Sequence, residues 1–463
     1  MKALVANSGA VGSGDKRPIR RADRWRIERS IGVTIPGSRQ SPTYSAVRPP
    51  FDRRGERVRV RSLSVSTSRF ILVITAGWIL VALPVVLLVY AYLLYPVLLW
   101  VMASQRKTTT ARLHHLPLVS IAVPAYNEEA QIRGAVESLI RQDYPANLRQ
   151  ILVISDASTD RTDEIVNEYR SAGVELLRMP VRGGKTAAEN ASCALLRGEI
   201  IINSDSSVRL HPAAVRLLVE AMADPQVGVA STRDVSTVAG ADIANATEAG
   251  YVDYEMRVRH LETLTGGIVG ASGSGYAIRA HLHRIPIRSD LSRDFSAALT
   301  ARAHGYSAVS ADGALCYVPR TTSLKSEYRR KVRTIARGVE TLLHNRQLLD
   351  PTTFGMFSWK LISHKVCRWL VPVSALTGIV GLAILAPKHP WAAAALGLAG
   401  AGAILAVLGA IWPSSRPMPR VLSTLTFAAA ANVAVIHALA RVVLGHEDHL
   451  WEPTRRAPAP VNG

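Results

Sequence analysis

The sequence has few cysteines and few charged residues, and both shortages restrict what the chain can be. Its three cysteines, Cys193, Cys316 and Cys367, form no C-x-x-C pair and no metal-ligand spacing, so we expect reduced thiols that serve packing. Charged residues make up only 19% of the 463 residues, and the apolar residues are unevenly distributed. Residues 1–60 lack the apolar segment that a cleaved secretion signal requires. A chain of this length has room for one large domain or about two to three modules.

Acidic residues are scarce in the amino-terminal tail, which carries much of the net positive charge. The net charge is +20, and residues 1–69 contain 16 Lys and Arg against 5 Asp and Glu. No nucleic-acid motif and no basic patch interleaved with aromatic residues accompanies this charge, so we predict no nucleic-acid partner. Residues 1–68 are rich in Arg, Ser, Gly and Pro, which predicts a disordered tail that faces solvent or lipid.

Long apolar segments lie on both sides of a more polar central region. The first, residues 69–104, has no charged residue between 70 and 103 and is long enough for a spanning helix. Further apolar segments follow at residues 369–387, 391–412 and 421–444. We therefore predict a multi-pass membrane protein with one amino-terminal and about three carboxyl-terminal transmembrane helices. An interfacial segment at 347–368 and a short tail at 445–463 complete this organisation.

The central region, residues 117–346, alternates strand-like runs with helical patterns. Strands are expected at residues 118–123, 150–154, 174–177 and 199–202, and helical apolar faces follow the first, second and last of them. This alternation predicts an α/β domain in which helices cover a mostly parallel sheet.

Acidic and cationic residues follow these strands. VPAYNEE (123–129), SDASTD (155–160) and NSDSS (203–207) each follow a strand, and GGK (183–185) lies between the last two. Ligands of open α/β sheets bind at the carboxyl ends of the strands, where carboxylates and a lysine suit a phosphate-rich ligand. A structural explanation also exists, since Pro124 can end its strand, Asn127 can cap the next helix and Asp160 the helix after it.

Residues 119–372 resemble the family 2 glycosyltransferases, the inverting GT-A enzymes, and in particular their membrane-bound, polysaccharide-synthase-like members. Besides the motifs above, the resemblance rests on GASGSGYAIR (270–279), SRDFSAAL (292–299) and EYRRKVRTIARG (327–338). It implies a GT-A-type mixed, mostly parallel sheet flanked by helices. It also implies transfer of a hexosyl or N-acetylhexosaminyl group from a nucleotide-sugar, expected to be UDP-linked, to a glycan or lipid acceptor through a β linkage.

The resemblance assigns a role to individual residues. Asp294 takes the place of the catalytic base, which accepts the proton of the acceptor hydroxyl. The adjacent Arg293 is then expected to favour the ionised form of Asp294. Nucleotide-sugar binding falls to Pro124, Tyr126, Glu128, Asp156, Lys185 and Asp205, and the acceptor or diphosphate side to Gly273, Ser274, Gly275, Arg330 and Arg333.

Three positions depart from the family pattern. Ser207 replaces the second acid of the metal-binding DxD element, so the implied Mg²⁺ or Mn²⁺ ion has only Asp205 as its carboxylate ligand. Arg293 stands where the family has an acid, and Thr334 stands where it has Trp. Two alternatives therefore stay open. One is a polyprenyl-phosphate sugar transferase, and the other is a degenerate member that acts as a membrane scaffold or glycan sensor.

The expected orientation places the central domain in the cytosol, on the inner face of the plasma membrane. The loop with Arg416 and Arg420 is more basic than the loop at Lys388, and a cytosolic central domain puts that basic loop inside, as the positive-inside rule requires. The basic amino-terminal tail disagrees with the same rule. We nevertheless predict this orientation because a nucleotide-sugar donor is cytosolic.

Overall fold

The computed structural model describes residues 61–105, 113, 115–237, 243–319, 324–413, 416 and 418–445. The predicted tails at 1–68 and 445–463 therefore lie almost entirely outside the described residues. The fold reported below is that of the compact unit Ser64–Gly463.

Among the described residues, eight strands form one mixed sheet. The strands are β1 Val119–Ala125, β2 Arg149–Ser155, β3 Val174–Arg178, β4 Ile200–Ser204, β5 Arg209–Leu210, β6 Val227–Thr237, β7 Gly275–Arg279 and β8 Ser307–Pro319. Their spatial order is β3-β2-β1-β4-β7-β6-β8-β5. Strands β3, β2, β1 and β4 pair in parallel, as do β6 and β8, whereas β7 pairs antiparallel with both β4 and β6, and β5 with β8. The predicted mixed sheet flanked by helices is confirmed.

Fifteen α-helices accompany the sheet in the described part of the chain. They are α1 Arg61–Val89, α2 Tyr95–Ala103, α3 Ile132–Ile140, α4 Thr162–Asn167, α5 Lys185–Ser192, α6 Ala214–Ala221, α7 Ile243–Leu264, α8 Ala280–His283, α9 Arg293–Ala303, α10 Leu324–His344, α11 Pro351–Phe354, α12 Met356–Leu361, α13 Arg368–Leu385, α14 Pro390–Ala410 and α15 Arg420–Val443. Single π-helical turns, Tyr90–Leu94 and Ile362–Cys367, join α1 to α2 and α12 to α13.

Both faces of the sheet are buried, which explains why its central strands are continuous apolar runs. Alternate residues point to opposite faces, so Ile121 and Val153 belong to one core cluster, and Ala122 and Leu152 to the other. Helices α3, α4 and α6 cover the first face, and α5, α8 and α9 cover the second. Burial on both faces is typical of parallel strands.

The chain reverses its direction of travel across the sheet at β1. It moves outward from β1 through β2 to β3 and then returns to β4 on the other side of β1. The loops that follow β1 and β4 therefore diverge and open a crevice at the carboxyl ends of the strands. Glu128, Asp156 and Asp205 lie in the loops that follow β1, β2 and β4 at this edge.

Four helical segments are long and apolar enough to cross a membrane among the described residues. They are Arg69–Ala103, Met356–Leu385, Pro390–Ala410 and Arg420–Val443. The prediction of one amino-terminal and about three carboxyl-terminal spans is confirmed. The second segment begins earlier than the apolar run at 369–387, because α12 and its π turn continue directly into α13. Most of the predicted interfacial segment, residues 347–368, therefore belongs to this span.

The membrane helices pack closely on one another and on the sheet domain. A side-chain carbon on Gly381 of α13 would lie 2.7 Å from the carbonyl oxygen of Gly77 in α1, so the two backbones touch. Helix α10, which follows β8, packs on α15 through Val332, Ala336, Ala434 and Ala438. The sheet domain is thus fixed to the membrane helices by direct helix packing.

A buried ionic cluster joins α7 to two of the membrane segments. Tyr95 donates to Glu262 (2.5 Å), and the two ring nitrogens of His364 contact Glu262 (2.7 Å) and Glu255 (2.8 Å). Arg368 also donates to Glu255 (2.6 Å). Burial favours the neutral carboxyls, but the neighbouring charges and hydrogen bonds together outweigh it. The pKa of Glu262 is therefore lowered, with His364, Tyr95 and Lys360 acting against burial, and that of Glu255 lies well below its usual range, with His364 and Arg368 acting against burial.

Candidate active site

A cavity of about 460 Å³ occupies the crevice at the carboxyl ends of β1 and β4. Eight of the residues predicted for the site line it, namely Glu128, Lys185, Asp205, Gly273, Ser274, Asp294, Arg330 and Arg333. The other predicted residues, Pro124, Tyr126, Asp156 and Gly275, lie outside the lining. Six of the seven sequence motifs thus meet in one cavity, and SDASTD is the exception.

Asp156 holds the glycine loop in place instead of facing the cavity. It is 1% exposed, and its two carboxylate oxygens accept hydrogen bonds from the backbone N–H groups of Gly183 (2.7 Å) and Gly184 (2.8 Å). Gly184 has φ +85°, in the left-handed region that favours glycine, and α5 begins at the next residue, Lys185. Asp156 therefore positions Lys185 indirectly, by holding the two glycines that precede it.

Lys185 and Asp205 form the ion pair at the centre of the crevice. The ammonium nitrogen of Lys185 lies 2.6 Å from Asp205 Oδ1 and 3.3 Å from the carbonyl oxygen of Gly273. Burial opposes the charge of Lys185, but Asp205, Glu189 and Asp294 together outweigh it and raise its pKa. The lysine therefore stays fully cationic at neutral pH and is available to a phosphate.

The glycine-rich segment before β7 connects this pair to the expected base. The carbonyl oxygen of Ser274 accepts from the backbone N–H of Asp205 (3.2 Å). A side-chain carbon on Gly273 would lie only 2.8 Å from Asp294 Oδ2, so glycine is required for this close approach. Asp294 lies in the first turn of α9, and Ser292 donates to its Oδ1 (2.5 Å).

Arg293 is directed away from Asp294, which differs from the expectation for this residue. It is 4% exposed, it donates to Asn190 and to the carbonyl oxygen of His283 (2.8 Å), and it faces Glu189 at 3.6 Å. Its charge is therefore compensated by Glu189, because the start of α9 turns the guanidinium toward α5.

Glu189 is an acidic residue at the site that the sequence analysis missed. It is fully buried, one helical turn after Lys185, between Lys185 and Arg293. Burial raises its pKa, and the charges of Lys185 and Arg293 oppose that shift. The spacing of four residues from Lys185 is the signal that could have identified it, since residues at i and i+4 lie on one helix face.

A second missed carboxylate supports the glycine-rich segment from the side of β6. Asp234 accepts from the hydroxyls of Ser272 (2.6 Å) and Ser274 (3.2 Å), and it lines the cavity. Burial raises the pKa of Asp234, while these hydroxyls and the charge of Arg259 lower it. No sequence motif marks Asp234, since it comes from the cavity end of a long strand.

The loop after β1 is tied to the loop after β2, and two expectations for it were wrong. Pro124 lies inside β1 and does not end it, which is possible because the ladder with β4 stops at Ala122. Asn127 does not cap α3, and its side chain accepts from the backbone N–H of Thr159 (2.8 Å). Asp160 accepts from the backbone N–H of Thr162 at the start of α4 (3.0 Å), as expected.

Tyr126 and Gly275 lie just outside the cavity with defined contacts. The guanidinium of Arg182 lies 3.9 Å from the centre of the Tyr126 ring, a cation–π contact. Gly275 begins β7, where it pairs with Ser204, and its carbonyl oxygen accepts from the hydroxyl of Thr232 (2.8 Å).

The far wall of the cavity consists of α10 and the segment that leads into α13. Arg330 forms a bidentate ion pair with Glu327 (2.8 and 2.6 Å), and Arg333 lies one turn further along α10. Thr334, which stands where the family has Trp, also lines the cavity, and so does Trp369 at the start of α13. A tryptophan is therefore present in the cavity, although it comes from a membrane helix.

The cavity offers a limited set of ligands for a divalent cation. No group of three or more His, Cys, Asp or Glu side chains with metal-binding geometry occurs among the described residues. Asp205 supplies one carboxylate, and Ser207, which also lines the cavity, supplies a hydroxyl. One carboxylate fits an ion of the Mg²⁺ type, which is usually held by one or two carboxylates together with substrate phosphates and water.

Comparison with known sequences assigns the central part of the chain to a family. Residues 120–282 match the sequence model described as "Glycosyl transferase family 2". The matched segment contains nearly all of β1, strands β2 to β7 and the loops that carry Glu128, Lys185 and Asp205. It ends before Asp294. The resemblance inferred from the motifs is confirmed.

Curated relatives match parts of the chain. A β-monoglucosyldiacylglycerol synthase of Nostoc sp. is 31% identical over 175 residues, which is 35% of this chain and 36% of the relative. The probable glycosyltransferase YdaM of Bacillus subtilis is 36% identical over 110 residues, 22% of this chain and 26% of the relative. Chondroitin synthase of Pasteurella multocida is 35% identical over 109 residues, 23% of this chain and 11% of the relative. The match thus covers between 11% and 36% of the length of these relatives.

A solved structure shares the fold over most of the chain. The mannosyltransferase PcManGT of Pyrobaculum calidifontis, determined in complex with GDP-Man and Mn²⁺, superposes with a TM-score of 0.61 at 21% identity. The similarity covers 80% of this chain and 100% of the other. The GT-A-type fold that the sequence predicts is confirmed.

Proposed function

We propose, from the premise that residues 120–282 form a glycosyltransferase family 2 domain, that the protein is a membrane-anchored inverting glycosyltransferase. It transfers a sugar from a nucleotide-sugar, expected to be UDP-linked, to a glycan or lipid acceptor and forms a β linkage. The observation that supports this activity most directly is the convergence of Lys185, Asp205, Gly273 and Asp294 on one cavity.

The donor is expected to bind across the carboxyl ends of β1, β2 and β4. Tyr126 and Glu128 are proposed for the nucleoside side, with Pro124 and Asp156 shaping the loops around it. Lys185 and Arg333 are proposed for the diphosphate, because both are cationic and line the same cavity. The complex of PcManGT contains a nucleotide-sugar, which supports a donor of that class here.

Asp294 is proposed as the base of the transfer reaction. Its Oδ1 accepts from Ser292, whereas Oδ2 is directed toward Gly273, where an acceptor hydroxyl can approach it. As the acceptor oxygen bonds to the sugar C1, its proton passes to Asp294. The bond between C1 and the phosphate oxygen breaks, and the nucleoside diphosphate leaves with the electron pair. Attack from the face opposite the leaving group inverts C1.

A divalent Mg²⁺ or Mn²⁺ ion is proposed as the cofactor, held by Asp205. Such an ion, when bound, offsets the negative charge that develops on the leaving diphosphate. Lys185 serves the same purpose from the protein side, since its ammonium group lies 2.6 Å from Asp205. The Mn²⁺ in the PcManGT complex supports the assignment of a divalent metal.

The proposed location is the plasma membrane, with the sheet domain in the cytosol. The four candidate spans support membrane anchoring. Arg416 lies between α14 and α15, and Arg420 is the first residue of α15. A cytosolic sheet domain puts this basic loop on the same side, as the positive-inside rule requires. Cytosolic placement also gives the crevice access to nucleotide-sugars.

Replacing Asp294 with Asn tests the proposed activity. The substitution keeps the shape of the side chain and removes the base, so we expect kcat to fall by about 10²- to 10⁴-fold. Asp290→Asn, outside the cavity, is the matched control because Asp290 pairs with Arg288 on the surface. Release of UDP is measured with purified protein in lipid, and UDP affinity by calorimetry.

The two variants are expected to bind UDP within about twofold of the unmodified protein, as their donor contacts are intact. Full turnover by Asp294→Asn would refute the assignment of the base. Absence of UDP release by the unmodified protein with every donor sugar would instead favour a scaffold or sensor. A product in which the sugar is attached to a lipid phosphate would favour the polyprenyl-phosphate transferase.

A further inference from the structure

We propose that Lys365 and Trp369 form the acceptor subsite, and that the acceptor is a membrane lipid with a hydroxyl in its head group. This inference rests on the proposed function and specifies its acceptor. The head group is inferred to reach Asp294 between α10 and the start of α13, while the acyl chains stay in the bilayer.

One helical segment both lines the cavity and belongs to a candidate membrane span. Lys365 and Trp369 lie one helical turn apart in the candidate span Met356–Leu385, and both line the cavity that contains Asp294. Trp369 begins the uncharged apolar run at 369–387, and Lys365 lies one turn before it, an arrangement typical of the membrane interface. The cavity therefore borders the level at which lipid head groups lie.

A continuous series of contacting side chains leads from Asp294 to the exposed surface of the candidate span. Phe295 follows Asp294 directly, and the ammonium nitrogen of Lys365 lies 5.6 Å from the Phe295 ring centre. Trp369 packs in the same apolar cluster as Phe295 and against Gly338 of α10. The next residue, Leu370, is 45% exposed on the lipid-facing surface of the span. An amphiphile can follow this series of side chains with its polar end toward Asp294.

The described membrane helices contact one another closely in two pairs. Helices α1 and α13 touch through the backbone at Gly77 and Gly381. Helices α14 and α15 are joined where Thr426 donates to the carbonyl oxygen of Ala406 (3.4 Å). The two helices of each pair are therefore in direct contact at these positions. Among the acceptor classes of the proposed function, a lipid fits this arrangement better than an extruded polysaccharide.

The acceptor class is tested with full-length protein in phosphatidylcholine vesicles. Radiolabelled UDP-sugars are supplied with diacylglycerol (a neutral hydroxyl lipid), phosphatidylglycerol (an anionic hydroxyl lipid), polyprenyl phosphate or a water-soluble oligosaccharide. We expect the label to enter the organic phase with one or both hydroxyl lipids, and the comparison of the two identifies the head-group charge. Transfer only to polyprenyl phosphate, or only to the soluble oligosaccharide, would overturn the inference while UDP release still supported the proposed function.

The subsite is tested with Trp369→Ala and the matched control Trp391→Ala. Trp391 is the second residue of α14, its ring centre lies 5.3 Å from that of Trp78, and it does not line the cavity. We expect Trp369→Ala to raise the KM for the hydroxyl lipid, expressed as a mole fraction, by about tenfold. Trp369→Phe keeps an aromatic ring at this position, so its KM is expected to stay close to that of the unmodified protein. UDP affinity is expected to change by less than about twofold, because Trp369 is assigned to the acceptor side of the cavity.

A lipid KM that is unchanged by Trp369→Ala, or that Trp391→Ala raises equally, would refute the subsite. If UDP affinity fell as much as lipid affinity, Trp369 would instead act on the fold of the whole cavity. Absence of UDP release with every donor and acceptor would refute the proposed function itself, so the two failures are distinguishable.

Discussion

Replacing Glu262 with Gln tests whether the buried ionic cluster holds the sheet domain on the membrane helices. The Glu262 carboxylate is fully buried and accepts from Tyr95 and contacts His364. Removal of one partner of a buried ion pair typically costs about 3–5 kcal/mol, because the other charge is left uncompensated. Gln can still accept from Tyr95, and His364 keeps Glu255, so we expect a loss near the lower end, about 3 kcal/mol.

The matched control is Glu137→Gln, which breaks an exposed pair with Arg141. The two side chains are 38% and 67% exposed, and such pairs contribute less than about 0.5 kcal/mol after solvent screening. The assay is the midpoint of thermal denaturation in detergent at pH 7, followed by tryptophan fluorescence. We expect Glu262→Gln to lower the midpoint several times more than Glu137→Gln. Equal shifts would refute the reasoning, because burial would then add nothing to the value of the pair.

The same cluster predicts the direction of the pH dependence. A carboxyl whose pKa is lowered by folding stabilises the folded state above its unfolded pKa, about 4.3 for Glu, and loses that contribution as the pH falls through the folded pKa. Burial raises the folded pKa of Glu262, but His364, Tyr95 and Lys360 together outweigh burial, so this pKa is lowered. The difference in midpoint between the unmodified protein and Glu262→Gln is therefore expected to shrink below pH ~4. A difference that grows toward low pH would contradict this sign.

Two further predictions concern the diphosphate side of the cavity. Lys185→Gln removes a charge-assisted contact, so we expect UDP affinity measured by calorimetry to fall about 10- to 100-fold. The exposed control Lys325→Gln is expected to leave UDP affinity unchanged. Equal UDP affinities of the two variants would exclude Lys185 from donor binding. Chelation with EDTA is expected to stop UDP release, and Ser207→Asp, which restores a second carboxylate, to lower the Mn²⁺ concentration for half-maximal rate about tenfold. Full activity in EDTA would exclude a metal at Asp205.

The parallel half of the sheet could be predicted from the sequence because its strands are buried on both faces. Strands β1 to β4 lie within two residues of the expected runs. Strand β6 was missed, since only its first six residues are buried and the rest approach the cavity. The insertion of β7 between β4 and β6 also could not be predicted. Antiparallel pairing over such a separation depends on tertiary packing, which leaves no local periodicity.

The site residues that lie within sequence motifs could be predicted, whereas those that only the folded structure brings to the cavity could not. Lys185 and Asp294 follow from motifs with a fixed order along the chain. Asp234 and Trp369 come from β6 and α13, and only the packed structure brings them to the cavity. The prediction that Arg293 acts on Asp294 was wrong. It followed from sequence adjacency, whereas the helix geometry of α9 directs the guanidinium toward Glu189.

The shared use of one helix as membrane span and cavity wall has a consequence for regulation by the bilayer. A span adapts to bilayer thickness by changing its tilt, at a cost of a fraction of a kcal/mol per ångström of mismatch. Any tilt of α13 displaces Trp369 and Lys365 relative to Asp294, which is fixed to the sheet by α9. If the proposed function holds, the thickness of the bilayer therefore becomes a variable of the reaction rate.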